Sequence, residues 1–141
     1  MIVEEEIDYL LGKKNRIIDE KDVSIPKYMQ QMYSRIAAVE LLADVEELTV
    51  EVVAALSRVC ITDEEDEVRR AALDALVSIN SETLKSVLLI SVYDTDFQIR
   101  LTALEELRSI DFELSLLVAK ILKNDEDDAV REYALGLLKE R

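Results

Sequence analysis

The sequence repeats itself at 31-residue spacing, and a chain that does so is committed to stacking copies of one small unit. Three stretches align without gaps: Asp63 to Leu76, Asp94 to Leu107 and Asp125 to Leu138. Arg69, Arg100 and Arg131 therefore share one column. A weaker copy lies 34 residues before the first, where Arg35 matches Arg69, Ala38 matches Ala72 and Leu42 matches Leu76. The register continues through the intervening segments. Leu56, Val87 and Val118 correspond, as do Val59, Ile90 and Ile121.

Each unit reads as two helices. In the middle unit Leu84, Val87, Leu88 and Ile90-Ser91 form one apolar face, followed by the turn Tyr93 to Asp96. Ile99, Ala103, Leu104, Leu107 and Ile110 then make a second helical stripe. Asp96 and Asp127 stand where a helix N-terminus needs an acceptor for its orphan N–H groups. In the first strong copy Glu65 holds that column, and Asp66 is expected to be the better cap. Asn80-Ser81 and Asp111 mark the breaks between units. At the start, Val3, Ile7, Leu10 and Leu11 form a stripe, with Glu4 to Glu6 at its head, Lys13-Lys14 at its tail and Gly12 as terminator. Asn15 to Val23 reads as a connection. Ser24-Ile25-Pro26 opens the next helix, with Pro26 in the first turn.

The expectation is an all-α fold, a right-handed α-solenoid of about four antiparallel helix pairs. It forms a single domain over 1–141, with an irregular first pair at 1–43 and repeats at about 46–79, 80–110 and 111–141. A lone pair cannot bury both its apolar faces, whereas stacked pairs share a continuous core. An ordinary helical bundle would not require the same residue types every 31 positions.

Composition supports this and narrows the chemistry. There are two Gly and one Pro, about a sixth of average usage, so the tight turns of an all-β fold are in short supply. There is no His, which removes a Ser-His-Asp triad, a His general base and His-ligated zinc. Cys60 is the one cysteine; it is read as a small buried residue rather than a nucleophile, and no intrachain disulfide is available. The net charge is −14, from 17 Lys plus Arg against 31 Asp plus Glu. That disfavours nucleic acid and anionic lipid and favours basic protein partners. The acidic start is unlike a secretory signal, and no apolar run approaches a membrane span. A cytoplasmic location is expected.

The unit "acidic turn, Val/Ile-Arg, two residues, Ala-Leu, two residues, Leu" resembles the short HEAT-like repeats of the phycobilin-lyase-type HEAT family. The resemblance is strong from about Thr49 to Lys139 and weaker from Pro26 to Ala43, and it does not reach Met1 to Val23. It implies that second helices line a concave, protein-binding face. It also implies a structural ladder of turn Asp and helix Arg, here Asp63, Asp94 and Asp125 with Arg69, Arg100 and Arg131. Arg35 has no acidic turn before it, so the ladder is expected to fail at the first pair. Arg100 should lie against Asp94, Asp63 or Asp125, in a partly exposed pair contributing ~0.2–1 kcal/mol.

The function expected is a non-catalytic protein–protein interaction scaffold or adaptor, with no cofactor, no metal and no catalytic residue. The acidic turns at Asp63–Glu67 and Asn124–Asp128 read as caps and ladder partners. Their likeness to a calcium loop lacks its central Gly and distal Glu, and only weak cation binding stays open. The candidate partner face lies on the second helices: Arg70, Asp74, Leu101, Glu105, Arg108 and Glu132, with Ile36, Glu40 and Lys139 beside them. Leu101 is its apolar anchor. Two alternatives stand: an accessory or lyase-type component related to bilin lyases, and a purely structural homo-oligomer. In the last copy Tyr133 and Leu137 are either folded back onto the helix 113–123 or exposed as a homodimer patch, with Gly136 between them.

Overall fold

The computed structural model describes residues 1–16 and 24–140. Among the described residues there are eight α-helices and no strand. The chain divides into two compact units, Met1–Ser81 and Glu82–Arg141. The division falls at the break expected at Asn80-Ser81.

The first unit holds α1 (Val3–Leu10), α2 (Lys27–Ala43), α3 (Val50–Thr62) and α4 (Asp66–Ile79). In it α1 packs on α2 and α3, and α4 packs on α2 and α3. Gly12 ends α1 as expected. Its φ of 75° lies in the left-handed region that glycine enters without steric cost, and its N–H donates to the Tyr9 carbonyl at 3.1 Å. Pro26 precedes the first turn of α2 as its N-cap rather than sitting within it. Residues 17–23, most of the expected connection, lie outside the described residues.

The second unit holds α5 (Leu84–Ser91), α6 (Phe97–Ile110), α7 (Phe112–Leu122) and α8 (Asp128–Lys139). Here α6 packs on α5, α7 and α8, and α7 packs on α8. Short connections fold each helix back on its predecessor. Asp111 serves two helices at once, as C-cap of α6 and N-cap of α7, where its carboxylate accepts from Leu114 N–H at 3.1 Å.

The small residue of each second helix sits at the core. Ala38, Ala72, Ala103 and Ala134 are all fully buried, so the column carries the smallest side chain where a neighbouring helix approaches. Leu42, Leu76 and Leu107, four residues further on, are buried with it. The first-helix stripe is narrower than the sequence suggests. Leu84, Val87, Leu88 and Ser91 are buried, but Ile90 is half exposed and so is its counterpart Ile121. Ile110, at the end of the α6 stripe, is also exposed.

Of the two readings of the last copy, Leu137 follows the folded-back one, with α8 packed on α7. Leu137 is only 2% exposed, buried within its own unit, so it offers no surface to a second chain. The homodimer patch through Tyr133 and Leu137 thereby loses Leu137, and Tyr133 is half-buried. The exposed apolar residue of α8 is instead Leu135. It stands in the column of the fully buried Leu104, but no described helix packs beyond α8.

Caps differ between copies as their side chains do. Asp96 accepts from Ile99 N–H, and Asp127 from Ala129 and Val130 N–H. Glu65 makes no such bond. Asp66, expected as the better cap, is the first helical residue, and its carboxylate takes Arg70 at 2.7 Å instead. Asp127→Ala is therefore expected to cost about 1 kcal/mol and Glu65→Ala nearly nothing. Paired thermal melts check this, and equal shifts would contradict it.

Candidate functional site

The acidic turns are built to one pattern. In each, the first Asp bends its carboxylate back onto the chain: Oδ1 of Asp63, Asp94 and Asp125 accepts the N–H of Glu65, Asp96 and Asp127 at 3.0, 2.8 and 2.9 Å. Six residues on, the helix Arg returns to the same turn. Nη1 of Arg69, Arg100 and Arg131 donates to the carbonyl of Asp63, Asp94 and Asp125 at 2.9, 2.9 and 3.0 Å. The guanidinium has five donors in a rigid fork, so one edge closes its own turn and leaves another edge for a neighbour.

That edge reaches forward. Arg100 Nε and Nη2 each donate to an Asp125 carboxylate oxygen at 2.9 Å. In the first unit Arg35 does the same to Asp63, at 2.9 and 3.2 Å. The expectation that the ladder fails at the first pair is thus corrected. A rung needs an acidic turn after its Arg, not before it, and Arg35 is followed by Asp63. The pairs are also more buried than expected, with side-chain exposures of 9% and 8% for Arg100 and Asp125. Burial pushes the Asp125 carboxyl up, but the Arg100 fork and the Asp127 N–H outweigh it and hold it below the usual range. The bond to Asp125 raises Arg100 in turn. Arg131 pairs along its own helix, with Asp128.

These turns are consumed by structure. Among the described residues no three Asp, Glu, Cys or His side chains converge to hold a metal ion. Cys60 is buried in α3.

The expected partner face divides by charge. On α4, Arg70 is half-buried and tied to Asp66. Asp74 is exposed one turn on, and partial desolvation raises its carboxyl despite the opposing pull of Arg70. On α6, Arg108 forms a fork with the Glu140 carboxylate at 3.0–3.2 Å, with the Tyr133 hydroxyl of α8 beside it. Both arginines of the face are therefore neutralised within their own units. Asp74 and Glu105, and Glu132 on α8, are exposed, and among the described residues none of the three is ion-paired. Leu101 is half-buried rather than displayed, which weakens it as an anchor.

One cluster had no signal in the sequence. Glu6 of α1 is buried and takes both its bonds from Arg16 Nη2, at 2.6 and 2.5 Å. The Arg16 guanidinium stacks 4.4 Å from the Tyr9 ring centroid, and the Arg16 backbone N–H donates to Ser34 Oγ of α2. It fastens α1 down through contacts between segments far apart in sequence.

A family model described as HEAT repeats matches residues 30–108. No curated protein and no solved structure matches the chain. Among the described residues no helix is long and apolar enough to cross a membrane.

Proposed function

The chain belongs to the HEAT-repeat family, and from that premise we propose that it is a non-catalytic protein-interaction module whose second helices receive a basic protein. HEAT repeats commonly serve as interaction scaffolds. The observation that carries the reading is the charge sorting on those helices. Arg70 and Arg108 are spent on Asp66 and Glu140, while Asp74, Glu105 and Glu132 stand exposed and unpaired among the described residues. With a net charge of −14, the second helices of each unit favour cationic groups and disfavour phosphate backbones. The absence of His and the structural use of the Asp turns speak against a catalytic role. A single, buried cysteine suits a reducing, cytoplasmic compartment.

The test is affinity purification from the source cell, followed by titration of the recovered partner. Charge reversal by Glu105→Lys should weaken a stoichiometric partner about tenfold while leaving the helical circular dichroism intact, and binding should weaken with salt. Turnover of a small molecule by the purified chain would overturn the reading. Unchanged affinity in both Glu105→Lys and Asp74→Lys would remove the second helices from it.

A further inference from the structure

The first unit contains an open groove of about 850 Å³ between α1 and the segment that joins α2 to α3. Its apolar lining includes Ile7 and Val45, both half-buried, and the exposed Ile2. Six carboxylates surround them: Glu4, Asp8, Asp44, Glu46, Glu47 and Glu51. No Lys or Arg lines the groove, and among the described residues none of the six is ion-paired. Other carboxylates of the same unit do have a cation, Asp63 from Arg35, Glu6 from Arg16 and Asp66 from Arg70. Leu48 and Val50, beside Glu47, Thr49 and Glu51 in the chain, are also exposed, Val50 at 80%.

Like charges around an apolar surface repel one another, although Glu4 and Glu51 also face the positive ends of α1 and α3. They become favourable when a cationic group lies among them, and the apolar floor then needs an apolar face on the same ligand. Anionic lipid and nucleic acid are repelled, and so is a second copy of a chain carrying −14. The wall is held in advance: Leu10 of α1 is fully buried, and the Glu6–Arg16 pair fixes the helix, which lowers the ordering cost of binding. We propose that this groove docks a basic amphipathic helical segment of a partner protein, with aliphatic side chains on the floor and Lys or Arg against the rim. The proposal rests on the reading of the chain as a protein-binding module, but not on the second-helix face.

A labelled synthetic peptide of leucine and lysine, patterned as an amphipathic helix, is the probe, read by fluorescence anisotropy against the full chain. The groove variant is Glu46→Lys, Glu47→Lys, Glu51→Lys. A control with the same charge change, Glu82→Lys, Glu113→Lys, Glu126→Lys, alters exposed positions of the other unit. The groove variant should weaken binding about tenfold or more, and the control no more than about threefold. Ile2→Ser, at an exposed position that does not burden folding, should weaken it several-fold. A peptide of the same composition with its leucines scattered should bind about tenfold more weakly. Equal losses in groove variant and control would mean unspecific attraction and overturn the proposal. So would equal binding of the scattered peptide, or no saturable binding at all. If sedimentation shows a dimer of the chain that only the groove variant dissolves, the occupant is a second copy and the proposal falls. Loss confined to Asp74→Lys or Glu105→Lys would likewise overturn the groove while leaving the binding-module reading in place.

Discussion

Arg100→Ala is expected to cost about 3 kcal/mol of stability, several times the contribution of a surface ion pair. Both partners of the Arg100–Asp125 pair are largely buried, and the fork is bidentate. Its Nη1 closes the preceding turn through the carbonyls of Asp94 and Thr95. Truncation leaves the Asp125 carboxylate buried with the Asp127 N–H but without its counter-charge. The small effect expected from the sequence assumed a partly exposed pair. Urea unfolding at neutral pH measures the change, and it should persist in about 1 M salt because buried pairs are poorly screened. Arg100→Lys should recover only part of the loss, since an ammonium cannot span both oxygens and two carbonyls. The pH dependence has a definite sign. Asp125 is held below its unfolded-state pKa, so the pair's contribution is fully present above about pH 4 and is lost as pH falls through the folded-state value. The gap between wild type and Arg100→Ala should therefore narrow in acid. A cost under about 1 kcal/mol that vanishes in high salt would return the pair to the surface class.

Leu104→Ala should be comparably damaging, at about 2–5 kcal/mol, whereas Leu135→Ala, one repeat later in the same column, should cost about 1 kcal/mol or less. Leu104 is fully buried, with α7 and α8 packed against its helix, and Leu135 is 40% exposed. The two substitutions delete the same atoms, so the difference isolates the cavity and lost transfer free energy from helix propensity, which alanine if anything improves. Domains are stable by only about 5–15 kcal/mol, so Leu104→Ala should lower the melting temperature by many degrees. Similar shifts in the two variants would mean that Leu135 is covered in solution.

The sequence carries the repeat because the physics of one helix pair is local. Carboxylates at Asp96 and Asp127 find N–H groups two or three residues away, Gly12 supplies a positive φ, and the alanine column follows from helical period and volume. These features could be placed from spacing alone. So could the composition of the ladder, since the same Asp and Arg recur every 31 residues. Its direction could not. Spacing puts Arg100 near Asp94, Asp63 and Asp125 alike, and only the packing of α7 and α8 on α6 decides that the fork meets Asp125 and, by the same geometry in the first unit, that Arg35 meets Asp63. The exchange of Leu137 for Leu135 at the surface of α8 has the same origin, because a stripe states which residues share a face but not whether another helix covers it. Arg16 on Glu6, the pairing of Arg108 with Glu140, and six carboxylates around one groove are likewise matters of long-range approach. Hydrophobic period and capping chemistry fix what each segment becomes; which charged side chains meet is set where segments distant in the chain are brought together, and there no periodicity in the sequence records the outcome.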